Sequence, residues 1–258
     1  MIYPLALAWL GLASQVSGAC PRALLQEATA AYVSAQTSGQ PLLLPLAANG
    51  TYAENDVPLS ITKGLLSTAL HIDINRSLHD TVECSTFTEL TAATNKHPYV
   101  IHTRMLLSSS TPDKLTINTI QSVITDDGDW VFNATGHLYW STLEKWDPIP
   151  PSKRDTRATI QGAADAYLDS WGDSTIKVPY GAPCARLEGG AYTGTKTTTT
   201  NTCKMPQFPG TFRITNRRYV VDEEVGAVDV FNDFPFIDKV KPEGTPSSNL
   251  LRVEGGGI

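Results

Sequence analysis

The residues best placed for chemistry are polar groups set among apolar ones in strand-like runs. In "RRYVVDEEVGAVDVF" Asp229 stands between Ala227 and Phe231. Burial there would raise its carboxyl pKa and make it a candidate general acid. Arg217 and Tyr219 alternate together on the preceding strand and offer a cation and a phenol to the same inner face. In "HIDINRSLHD" Asn75 begins a glycosylation sequon and must face solvent, which turns Leu70, Ile72, Ile74, Arg76 and Leu78 inward. An arginine cannot shed its proton and is costly to bury alone. Arg76 therefore needs either Asp80, four residues on, as a partner, or a ligand carbonyl to which it donates.

Aromatic residues supply the apolar counterpart. "DWVFNATGHLYW" reads as a strand on which the sequon at Asn133 marks the outer face, leaving Trp130, Phe132, Leu138 and Trp140 inside as core or as the wall of a cavity. Tyr99 in "HPYVI" holds the position that Tyr219 holds in "RRYVV", and Phe231 flanks Asp229; both join the candidate substrate-binding set. The five histidines, His71, His79, His97, His102 and His137, show no metal spacing, so neither a metal nor a cofactor is expected. There is no G-x-S-x-G elbow, H-E-x-x-H pair, phosphate loop or dinucleotide fingerprint in the sequence. The acidic run Asp222 to Glu224 reads as a solvated hairpin tip, and "TKTTTTNT" as a polar loop.

The elements that position these groups occur twice. "LLQEATAAYVSAQ" and "TIQGAADAYLDSWGD" are amphipathic helices, and setting Gln26 on Gln161 puts Ala28 on Ala163 and Tyr32 on Tyr167, an offset of 135. Pro45, Ala48 and Glu54 fall on Pro179, Ala182 and Glu188; farther on, Cys84 falls on Cys203 and "HPYVI" on "RRYVV" at offsets near 120. Each copy opens with a helix and closes with alternating strands, including a hairpin around "DEEVG", which gives an α+β class for both. The proline-rich stretch from Glu144 to Thr156 reads as the linker, with residues 20–147 as the first domain and 148–258 as the second.

Residues 1–19 contain an apolar run followed by small residues before Cys20, the pattern of a cleaved signal peptide. Secretion or residence in the secretory-pathway lumen is expected, with no membrane anchor after cleavage. The four cysteines, Cys20, Cys84, Cys184 and Cys203, lack any C-x-x-C pair and suit disulfides in an oxidising compartment. Of three connectivities, Cys20–Cys84 with Cys184–Cys203 keeps each bridge inside one copy. Sequons at Asn49, Asn75 and Asn133 add glycosylation sites. A net charge of −6 with no basic cluster excludes nucleic acid and anionic membranes as partners. The oligomeric state is left open.

The order of helix, curved antiparallel sheet and a last strand ending in "LLRVEGGGI" resembles the cystatin-like cone fold of nuclear transport factor two and the SnoaL-like cyclases. More narrowly, "DINRSLHDTVEC", "DWVFNATGHL", "EKWDPIPPSKRDTR" and "RRYVVDEEVGAV" are similar to a fungal family of secreted two-domain proteins, from Cys20 to Ile258. That family includes the hetero-Diels-Alderases of tropolone sesquiterpenoid biosynthesis. The resemblance implies two tandem cones and a cofactor-free pericyclase that joins a tropolone quinone methide to a cyclic sesquiterpene such as humulene. Such a reaction needs two apolar partners held in near-attack geometry, donors to the heterodiene oxygen and one acid. Asp229, Tyr219, Arg217 and Arg76 are the candidates for the polar roles. The alternatives are a non-catalytic protein that binds a small apolar ligand, and a cone-fold hydrolase or isomerase working through Asp229 and Tyr219.

Overall fold

Helix α1 (Arg22–Ser38) forms where Leu25, Ala28, Tyr32 and Ala35 line up on one apolar face. Gly39 stops it at φ 65°, a left-handed conformation from which its N–H donates to the carbonyls of Ala35 and Gln36. The computed structural model describes residues 20–111, 113–205, 208, 210–238, 241 and 244–258. The expected signal peptide, residues 1–19, lies outside them.

The apolar face of α1 packs on a six-stranded sheet made of β1 (Leu46–Glu54), β2 (Val57–Pro58), β3 (Ile74–Asp80), β4 (Ser85–Ala92), β5 (Tyr99–Thr111) and β6 (Lys114–Thr125). Their order is β2-β1-β6-β5-β4-β3. The expected antiparallel sheet is corrected here: β1 runs parallel to β6, because the chain crosses from one edge of the sheet, β2, to the other, β3, before the remaining strands fold back toward β1. All eight residues of β4 are buried, so both faces of this sheet are covered.

The strand expected in "DWVFNATGHLYW" is also corrected. Asn133 accepts a hydrogen bond from the Gly136 N–H at 2.9 Å and caps α2 (Ala134–Ser141). An Asn cap satisfies a helix-start donor that a strand would have to pair elsewhere, and it overrides the apolar alternation.

Helix α3 (Arg157–Asp169) starts at a Thr156 cap and buries Ile160, Ala163, Ala164, Tyr167 and Leu168. It packs on a three-stranded antiparallel sheet, β9 (Thr215–Asp222), β10 (Ala227–Phe234) and β11 (Thr245–Arg252), with β10 in the centre. The short hairpin β7 (Leu187–Glu188) and β8 (Ala191–Tyr192) leans on α2. Disulfides join Cys20 to Cys84 and Cys184 to Cys203, the connectivity that keeps each bridge inside one half. No helix among the described residues is long and apolar enough to cross a membrane.

The faces of the two sheets that turn away from the helices meet. Leu78, Phe87 and Val123 from the first pack against Val220, Val225, Ala227 and Phe231 of the second. The contact is reciprocal. Asp80 accepts from the Val221 N–H at 2.9 Å and from Arg157, the first residue of α3, at 2.7 Å. Asp222 accepts from the His79 N–H at 2.9 Å and from Arg22, the first residue of α1, at 2.8 Å.

Each of these residues has its counterpart on the other side, the pattern of a two-fold contact. The β3–β4 and β9–β10 hairpins also match in length: Asp80 pairs with Ser85, Asp222 with Ala227, and the residues before the second strands, Cys84 and Gly226, both have positive φ. The strands therefore repeat at an offset of 142 (Asp222 against Asp80), and not at the offsets near 120 suggested by Cys84 and Cys203. Those cysteines serve different local bridges, and Cys203 precedes β9 altogether.

Candidate functional site

The polar groups of the sheet interface gather on one side of its apolar patch. In the first sheet Arg76 pairs with Glu89 and Glu89 with His102 across neighbouring strands, so all three side chains face the second sheet. In the second, Asp229, Phe231, Ser248 and Leu250 face them. Ser248 donates to Asp229 at 2.7 Å and is 2.8 Å from His102 Nδ1. Helix α2 closes the side of the cluster with His137, whose Nε2 lies 2.8 Å from Glu89 Oε1.

The interior sets the charges of these groups. Burial pushes the Asp229 carboxyl up to about 8, outweighing the Ser248 hydrogen bond that favours its anion, so the group is a neutral acid at neutral pH. Burial works to raise Glu89 too, but the hydrogen bond from His137 and the charge of Arg76 hold it down to about 2, and it remains a carboxylate. His102 is driven down to about 4 by burial and stays neutral. Two polar atoms here, Asp229 Oδ2 and His102 Nε2, are buried without a hydrogen-bond partner among the described residues.

The expected catalytic set is not brought together. Asp229 is buried as predicted, but it stands opposite Val220 in the β9–β10 ladder while Tyr219 stands opposite Val230. Tyr219 and Arg217 therefore project from the other face of the sheet, toward α3. There Arg217 bridges Asp165 and Asp169 at 2.9 and 2.6 Å, and the Tyr219 hydroxyl donates to Asp165 at 2.6 Å. Arg76 does reach the Asp229 side, but its partner is Glu144 at 2.5 Å, with its guanidinium over the Trp146 ring; Asp80 is taken by Arg157. A four-residue spacing places two groups on one face of a strand without making them touch.

The aromatic set disperses as well. Trp130 is 59% exposed and donates to Glu188, Trp140 stacks on Tyr192 at 4.1 Å, and Phe132 is half-buried. Phe231 is core, under Arg218. Tyr99 lines a polar depression with Glu54 and Asp126 at the start of β5. The sequons at Asn49, Asn75 and Asn133 are all exposed. The sequence reading missed Glu89 and the convergence of His102 and His137. Glu89 lies in the run "CSTFTELTA", which has no unusual spacing, and only the cross-strand register and the cap of α2 unite the three.

A second feature lies on the first half's surface. The turn after α1, residues 39–43 with Thr62 and Ser67, lines an open depression of about 370 Å3. Its lining carries no ionisable side chain, and Leu42 and Leu43 at its rim are 77% and 66% exposed.

Comparison with known proteins adds little beyond these features. Residues 153–258 match a family described as a domain of unknown function, DUF8021. No curated protein matches the chain. Among solved structures, a DUF4783 family protein from Bacteroides ovatus is 13% identical, with a TM-score of 0.28 over 38% of this chain and 96% of that one. Another from Bacteroides fragilis is 16% identical, with a TM-score of 0.27 over 37% and 96%.

Proposed function

We propose that the chain is a secreted glycoprotein of two tandem cones that holds a small apolar molecule without transforming it. The depression at residues 39–43 carries this reading: its volume of about 370 Å3 falls in the range of small-molecule sites, roughly 300 to 1,000 Å3. Its lining offers apolar surface and hydroxyls but no acid, base or nucleophile stronger than a hydroxyl. Two disulfides support the secretory setting. The helix-on-sheet unit, formed once by α1 with β3–β6 and again by α3 with β9–β11, supports the tandem cones.

Titration with an apolar fluorescent probe such as N-phenylnaphthylamine tests the site. Leu42→Asp with Leu43→Asp should weaken probe binding at least tenfold while leaving stability nearly unchanged, since both side chains are exposed. Equal binding by parent and variant would place the ligand elsewhere.

One observation favours the pericyclase as a second reading. Asp229 keeps its proton at neutral pH and could protonate a leaving hydroxyl or a heterodiene oxygen if the sheets part to admit substrate. The measurement is adduct formation from a quinone methide precursor and humulene. Parent protein must exceed the uncatalysed background, and Asp229→Asn should cut that excess by about 10² to 10⁴-fold.

A further inference from the structure

We propose that Glu89, His102 and His137 form a binding site for one first-row divalent metal ion, with Ser248 and Asp229 of the second half as its supporting shell. One donor atom from each of the three residues lies within 4.8 Å of the other two. Donors around a four-coordinate zinc ion, with bonds of about 2.0 to 2.1 Å, stand roughly 3.3 Å apart. That value falls between the 2.8 Å of the His137–Glu89 contact and the outer limit of the set. Small side-chain rotations therefore suffice to close the triad on an ion.

The tautomer of His102 points the same way. When Ser248 gives its one proton to Asp229 across their 2.7 Å contact, it takes its bond with His102 from Nδ1–H. The ring's lone pair is then on Nε2, which is buried and has no hydrogen-bond partner among the described residues. A buried histidine nitrogen left bare, with the opposite N–H fixed through a hydroxyl to a carboxyl group, is the arrangement of a metal ligand held by its outer shell. An ion pair alone does not account for it. Arg76 is already engaged by Glu144 and the Ser141 carbonyl, approaches Glu89 only to 3.4 Å, and leaves the His102 nitrogen untouched.

Two imidazoles and one carboxylate suit zinc and its first-row neighbours and leave a coordination position for water. The site belongs to one half only. By the hairpin register, Glu89 corresponds to Phe231, and their cross-strand partners His102 and Ser248 correspond in turn, so the second sheet carries no equivalent set.

The test uses the full chain dialysed against EDTA, titrated calorimetrically with Zn2+ and followed with Co2+ by its visible absorption. One ion per chain is expected, bound equally by the parent and by a His97→Ala control, whose imidazole pairs with Asp126 at the surface. His137→Ala, on the half-buried face of α2, should weaken binding at least tenfold, and so should Glu89→Gln. Ser248→Ala should cost about 10- to 100-fold in affinity at unchanged stoichiometry. The proposal is overturned if the parent takes up no Zn2+ at micromolar free ion. It is equally overturned if a folded His137→Ala binds as tightly as the parent. If Glu89→Gln does not fold, His137→Ala decides alone.

Discussion

Asp229 shows how far a single residue could be read from its neighbours. Its position between Ala227 and Phe231 was enough to predict burial, and burial was enough to predict a raised pKa. What the sequence did not carry is which face of the sheet Tyr219 takes, because that depends on the register across the "DEEVG" turn. The consequence for stability has a definite sign. With a native pKa of about 8 against an ordinary 3.8, the folded chain keeps a proton that the unfolded chain has released, so stability falls as pH rises between those values. His79 and His102, each lowered by burial from 6.5 to about 4, act with the opposite sign below 6.5 and more than offset the acid there. Between pH 6.5 and 8 Asp229 acts alone, with Glu89 and Arg104 as its nearest charged influences and Ser248 as its hydrogen-bond partner. Urea unfolding in EDTA should show a loss of up to about 1.4 kcal/mol per pH unit in that window. Asp229→Asn should flatten it, and a flat parent curve would refute the buried acid.

At the scale of elements, helices α1 and α3 were legible from their apolar spacing, whereas α2 was not. Eight residues are too few for a period to declare itself, and the alternating aromatics of "DWVFNATGHLYW" imitate a strand. The decisive signal was Asn133, read as a glycan acceptor when it is also a cap. Both roles are compatible, since a sugar on Nδ2 leaves Oδ1 free to accept from Gly136. Asn133→Ala should cost about 1 kcal/mol and Asn133→Asp almost nothing. Gly136→Ala should destabilise even though alanine favours a helix by about 1 kcal/mol. Its Cβ would stand 2.8 Å from the Gly190 carbonyl, backbone that cannot easily move. Thermal melts of the three variants check all of this, and a stabilised Gly136→Ala would mean that the β7–β8 hairpin yields.

For the whole molecule, the correspondence between the two helix-on-sheet units was legible in the helices, where the offset of 135 also relates Arg22 to Arg157. It was misread in the strands because cysteines were taken as anchors, and cysteines follow local bridges and not the repeat. The better anchors are the two aspartates that end β3 and β9. Each is buried and answered by an arginine from the other half, so Asp80→Ala and Asp222→Ala should each cost about 3 to 5 kcal/mol, by similar amounts, in urea unfolding. A cost below 1 kcal/mol for either would deny the reciprocity. The same reciprocity gives the halves a contact of the kind found in a two-fold dimer. Residues 142–156 join the halves and also pack at their contact, where Glu144 and Trp146 hold Arg76 and Ile149 is buried, and neither disulfide crosses between the halves. A protease that cuts once in that stretch would therefore break the chain without releasing a fragment. The nicked protein should migrate at its original size in a native column and part into two only in denaturant.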